Sequence, residues 1–228
     1  MKQHMNSVSA EISRIPEDQY PRCDYHGGHL SLCAIHAGQV KSLLLQQPET
    51  IPGETTILRI SVEKGGSSVL ADGWLVAGTL ERREADFFFG FGVMLQLLDD
   101  LQDLADDRRM GHCTLFSRAT AHGQLDCVTS CLWHFLDAVL DSAAYFHTSR
   151  GPELKELIRR NSRMLLLRAM AENARFYSRD YLDRMGNFST LRFDYLRAVR
   201  KTIENKFRKI WPPLARPRNL RSIFDLLG

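Results

Sequence analysis

Hydrophobic positions along the chain recur at intervals of three and four, the repeat of a helix with one buried face, and hardly anywhere at intervals of two. This pattern predicts helices near 25–47, 54–79, 82–109, 122–147, 153–184 and 189–210. The stretches between them, "QQPETIPGET", "RRMGHCT", "HTSRGPE" and "RMGNFST", carry the Gly, Pro and capping residues that end or start helices. No segment alternates as a half-buried strand does, and no repeat or low-complexity tract interrupts the series. The expected fold is an all-α bundle of long antiparallel helices, one domain over 1–228. A polar segment, 1–24, leads into it, and a basic, Pro-broken tail, 211–228, follows it. In such bundles sites form between facing helices.

One helical face departs from the usual mixture of charges. On a wheel of 100° per residue, Met94, Leu97, Leu98, Leu101, Leu104 and Ala105 share one arc. Gln96, Asp99, Asp100, Asp103, Asp106 and Asp107 fall on the opposite arc, while Arg108 and Arg109 project away from it. Amphipathicity alone is ordinary for a surface helix. The sign of the charge is not, because Asp99–Asp103 and Asp103–Asp107 are like-charge pairs at i,i+4, each mildly destabilising. Aspartate is also a poor helix former. A hard divalent cation would offset the repulsion, since Mg²⁺ takes one or two carboxylates plus water and phosphate oxygens. Along a straight helix Asp99 and Asp107 are about 12 Å apart, too far to share one ion. The residues alone leave two readings open, a solvated acidic face and a metal site.

Composition narrows the setting. With 228 residues, 44% hydrophobic and 25% charged, the chain has the make-up of a folded soluble protein. A net charge of +3 is too small to imply a nucleic-acid partner. Five cysteines in no regular framework point to reduced thiols and a cytoplasmic setting. The first twenty residues are polar, unlike a secretory signal. The most apolar run, "FFFGFGVMLQLL", is far short of the roughly 20 residues that span a bilayer, which leaves only a peripheral membrane contact open.

The aspartate helix and its flanks resemble a known family. "QLLDDLQD", Gln96 to Asp103, resembles the QxxDDxxD second aspartate-rich motif of trans-prenyltransferases. "GHCTLF", Gly111 to Phe116, is similar to the GKxTLP segment that follows it there, with His112 in place of Lys. Upstream, "VEKGGSSVLADGWLVAG" resembles the family's helix carrying a Lys before small residues, with Gly65 where Thr is usual. The resemblance covers roughly 60–118 and is to the class I isoprenoid biosynthesis enzymes: prenyl diphosphate synthases, squalene-type synthases and terpene cyclases. It implies an all-α fold around a cavity in which Mg²⁺ and basic residues draw pyrophosphate from an allylic prenyl diphosphate, before coupling or cyclisation. By match it implies Asp99, Asp100 and Asp103 as catalytic metal-holding carboxylates, Asp107 as a further metal ligand, and Lys64 and Gln96 at the diphosphate. Asp99, Asp103 and Asp107 also reproduce the i, i+4, i+8 spacing of the terpene-cyclase metal motif. The family's first motif has no counterpart here: no DDxxD occurs in the 98 residues before Asp99, where Asp18 and Asp24 stand alone. The expected fold is therefore N-terminally shortened, and a non-catalytic subunit that binds prenyl diphosphate, a homodimer, or dependence on an N-terminal partner are alternatives to a complete synthase.

Other features carry weaker expectations. The small residues Gly65, Gly66, Ser67, Ser68, Ala71 and Gly73 suit close helix approach or a roomy cavity, and Asp72 reads as a hydrogen-bonded structural acid. "FFFGFG", Phe87 to Gly92, reads as helix packing, with one or two rings available to line a cavity. His26, His29, Cys33 and His36 share one helical face; a packed face is favoured over a zinc-binding module. Cys127 and Cys131 read as buried thiols. Arg175, Tyr177, Arg179 and Tyr181 read as exposed helix, although an Arg–Tyr pair could close on diphosphate. The eight Lys and Arg from Arg200 onward read as a solvated stretch.

Overall fold

Helix ends follow the local chemistry of the chain. The computed structural model describes residues 21–198 and 202, apart from 22, 47 and 144–148 and the side chain of 122. Helix α1 (His26–Ser42) runs through a 3-10 turn (Leu43–Leu45) into extended Gln46. Helix α2 (Glu54–Ala77) stops at Gly78, which takes a φ of 73° and donates its N–H to the Trp74 carbonyl. Helix α3 (Arg82–Gln102) starts from a capping box in which the Glu81 N–H donates to the Glu84 carboxylate at 2.8 Å. Then come α4 (Leu104–Met110), α5 (Leu115–His122), α6 (Asp126–Ser142) and α7 (Gly151–Glu172). A 3-10 turn (Ala174–Phe176) and α8 (Arg179–Gly186) follow, and 193–198 are helical again. The all-α expectation holds: among the described residues the only bridge is an isolated antiparallel one, Gln46 with His112.

Several expected helices are divided. The 82–109 helix breaks at Asp103, which sits at φ −87°, ψ 3°, in the bridge region that turns favour. The 153–184 helix breaks at Asn173, whose buried amide donates to the Leu101 carbonyl at 3.2 Å and the Ala169 carbonyl at 3.0 Å. Both are residues whose short polar side chains compete with helical backbone. The predicted 122–147 helix begins at Asp126, and a separate α5 precedes it, capped reciprocally by Thr114 and Ser117. Most of the basic stretch after Arg200 lies outside the described residues, as do 1–20 of the polar leader.

α1 packs along α2 and α2 along α3, while α6 and α7 cover the remaining side of α3. The α2–α3 contact is glycine on glycine. A Cβ on Gly92 would lie 2.2 Å from the Gly65 carbonyl oxygen, and one on Gly65 would lie 2.5 Å from Gln96 Cβ. The Phe89 ring lies over Gly66 and the Phe88 ring over Gly73. Close packing is thus what the small residues of α2 provide. On the inner side Leu97, Leu98, Leu101, Leu104, Phe116, Leu166 and Met170 form the main core. Full burial of each such side chain is worth about 1.5–3 kcal/mol. Among the described residues no helix is long and apolar enough to cross a membrane.

Candidate functional site

The break at Asp103 remakes the aspartate face. A straight helix would carry Asp107 well away from Asp99, but after the bend both line one cavity of about 230 Å³. Lys64 and Ser61 of α2, Gln96, Asp99 and Asp100 of α3, Asp103 at the junction, and Asp107 of α4 all face it. The loop after α4 closes one side. Gly111, at φ 74°, turns the chain so that the His112 N–H donates to the Asp107 carbonyl at 2.9 Å. The Cys113 N–H then donates to the Leu45 carbonyl at 2.8 Å, fastening this loop to the end of α1. His112, Cys113 and Thr114 thereby join the lining, with Ser42, Leu45 and Gln46 beside them. Every residue implied at the metal and diphosphate site is present in one cavity.

The carboxylates differ in environment. Asp100 is 7% exposed; the Gln96 amide donates to its Oδ1 at 2.7 Å, and Ser61 reaches its Oδ2 at 3.4 Å. Burial, reinforced by the Asp107 and Asp99 charges, pushes its pKa up to about 6 against the Gln96 hydrogen bond and the Lys64 charge. Asp107 is also buried and raised by burial, with His112 opposing; His112 Nδ1 lies 3.3 Å from its Oδ1. Asp99 and Asp103 are exposed at the mouth. Burial also raises the Cys113 thiol, with the Arg118 charge opposing.

These residues fit a hard divalent cation in kind, since carboxylate oxygens predominate. Convergence is partial: among the described residues no three His, Cys, Asp or Glu side chains meet at one point. A Mg²⁺ ion here would take one or two carboxylates and complete its shell with water and phosphate oxygens. Asp99 and Asp103, one turn apart at the mouth, are best placed for that, whereas Asp100 and Asp107 are committed to Gln96 and His112.

Two further spaces adjoin α3. A cleft of about 350 Å³ shares Lys64, Gln96 and Asp99 with the acidic cavity and continues past Ser68, Val69, Leu95 and Leu165. A separate apolar groove of about 450 Å³, lined by Phe89, Val93 and Phe116, shares no lining residue with the acidic cavity. The largest groove described, about 660 Å³, lies between α8 and 193–198 and shares no residue with the acidic cavity.

Several expectations are corrected. Ala105, placed on the apolar arc, is exposed, and Arg109 reaches back to Asp106 at 2.9 Å. Asp106 does not line the cavity. Asp72 is exposed, not a structural buried acid, and Cys127 and Cys131 are exposed rather than buried. His26, Cys33 and His36 are exposed, so the His/Cys face is not packed, and it forms no convergent metal group. Tyr177 and Tyr181 are buried, stacked at 5.8 Å between centroids, and bonded to Thr129 and Ser130 at 2.8 and 2.9 Å. They join α6 to α8 rather than facing a ligand. Ser61 escaped the sequence reading although it lies one turn before Lys64; Gln46 reaches the site through tertiary pairing that no local pattern announces.

Compared with protein-family profiles, with curated proteins and with solved structures, the chain finds no match.

Proposed function

We propose that the acidic cavity binds the diphosphate of an allylic prenyl diphosphate together with Mg²⁺, as the second-motif half of a class I isoprenoid-synthase-type site. One observation carries this reading: Asp99, Asp100, Asp103, Asp107 and the His112–Thr114 loop line the same cavity as Lys64, which comes to it from α2. Two buried acids in a cavity that also holds a lysine make poor sense as a solvated face, because burying carboxylates costs free energy that a compensating charge offsets.

Bound Mg²⁺ supplies Lewis-acid neutralisation of the departing diphosphate. The chain's own groups do the rest. Lys64 offers a fixed cation to phosphate oxygens. Gln96 holds Asp100 inward, which keeps that carboxylate beside Lys64 and leaves the mouth to Asp99 and Asp103. The adjoining cleft past Val69, Leu95 and Leu165 gives the apolar substituent a place continuous with the head group. On ionisation the allylic C–O bond breaks, its electron pair leaves with the diphosphate, and the carbocation is coupled or cyclised.

Calorimetry with Mg²⁺ and a non-hydrolysable prenyl diphosphate tests binding, and incubation with C10–C20 prenyl diphosphates tests turnover. Failure to bind would sink the proposal. Mg²⁺-dependent binding without pyrophosphate release would establish the second reading, a non-catalytic or partner-dependent subunit. That reading is favoured by the pairing of Asp100 with Gln96 and of Asp107 with His112, which engages two of the four implied metal ligands within the chain.

A further inference from the structure

Away from the acidic cavity, two arginines converge on one aromatic ring. The Arg108 guanidinium carbon lies 4.6 Å from the centroid of Phe176, and that of Arg175 also lies 4.6 Å from it. The two charges therefore cannot be further apart than twice that distance. They arrive on separate elements, Arg108 on α4 and Arg175 on the turn after α7. Both are exposed, and among the described residues neither has a carboxylate partner. The nearby acids are occupied elsewhere: Asp106 pairs with Arg109 and Glu172 with Arg168, each at 2.9 Å.

A helix C-terminus favours one basic residue, which accounts for Arg108. It does not account for Arg175, the chain neighbour of Phe176, lying over the same ring, since like charges so placed repel. The Phe176 side chain packs against the main core, and its backbone is held at both ends. The Phe176 carbonyl accepts the Leu125 N–H at 2.9 Å, its N–H donates to the Asn173 carbonyl at 3.0 Å, and Asn173 is buried and bonded to α3. Contact with the ring holds both guanidinium groups near it while both side chains stay exposed, within reach of an oxyanion from solvent.

We propose that Arg108 and Arg175, mounted on Phe176, form a binding site for a phosphoryl dianion. It is distinct from the acidic cavity and needs no metal. The site takes a phosphomonoester, either soluble or displayed as a lipid headgroup.

The full chain in EDTA, at constant ionic strength, is melted with and without inorganic phosphate. A millimolar site filled at about 20 mM phosphate raises the melting temperature by about 3–6 °C. Arg175→Gln and Arg108→Gln should each remove most of that rise, and Lys64→Gln should leave it intact. An equal rise in both arginine variants, or its loss only in Lys64→Gln, would overturn the site. So would a drop in melting temperature that is the same with and without phosphate, which is the behaviour of purely structural stacking. Should Arg108→Gln fold poorly, Arg175→Lys keeps the charge but loses the fork, and it should weaken phosphate binding at least several-fold. Glycerol phosphate, and phosphatidylcholine vesicles with and without phosphatidic acid, divide the two sources; binding to neither overturns the proposal.

Discussion

Asp100 is the residue on which the site's electrostatics turn. Its carboxyl holds a proton up to about pH 6 in the folded chain, because burial penalises the charge, whereas an unfolded carboxyl ionises near pH 4. The folded state therefore binds the extra proton between those values. The stability that Asp100 contributes is fully present below about pH 4 and lost as pH rises to about 6, a change on the order of 3 kcal/mol. Denaturant melts of Asp100→Asn should show this loss abolished; an unchanged pH slope would refute the assignment. At Lys64 the expectation is different. Lys64→Gln should leave the melting temperature within about 2 °C of wild type, yet weaken Mg²⁺-dependent diphosphate binding by tenfold or more, read by calorimetry. Residue identities were legible in the sequence because spacing and charge sign are local properties. Which acids turn inward was not: Asp99 and Asp100 are neighbours of one type, and only the Gln96 and Ser61 contacts separate them.

Among the elements, the α2–α3 pair decides the shape of the site. Gly92→Ala should cost about 3 kcal/mol, since its methyl would meet backbone that cannot rotate aside; chemical denaturation measures it. Removing the Asn173 amide, as in Asn173→Ala, strips the extra donor from the Leu101 carbonyl at the bend and should cost about 2 kcal/mol. The cleft beside Lys64 offers a sharper test of the proposed substrate. Ser68→Trp would fill space past the shared residues, so it should weaken binding of a prenyl diphosphate analogue about tenfold while sparing inorganic pyrophosphate. Helix α2 was legible almost to the residue, because Gly53 and Gly78 bracket it. The bends at Asp103 and Asn173 were not. A periodicity count sees apolar residues continue through both positions, and the Asn173 side chain draws its effect from the Leu101 carbonyl on another element.

At the scale of the whole molecule, the all-α class followed from the three-and-four spacing of apolar residues, and the meeting of Lys64 with the aspartates required the fold. The tie between the end of α1 and the loop after α4, through Gln46 and His112, is an example of a contact between segments over sixty residues apart. Nothing in either segment alone marks it. The glycine contact between α2 and α3 has a mechanical consequence. Two backbones that already touch cannot approach further, so the helices can only rock about Gly65 and Gly92 as a hinge pin. Rocking displaces atoms in proportion to their distance from the pin. Lys64 adjoins Gly65 and Gln96 packs against it, while Gly73 and the Phe88 ring over it lie about two turns further along α2. Thermal motion that loosens the far end of the pair therefore leaves the spacing of lysine and carboxylate nearly constant, and a ligand arriving there meets a gauge already set to width.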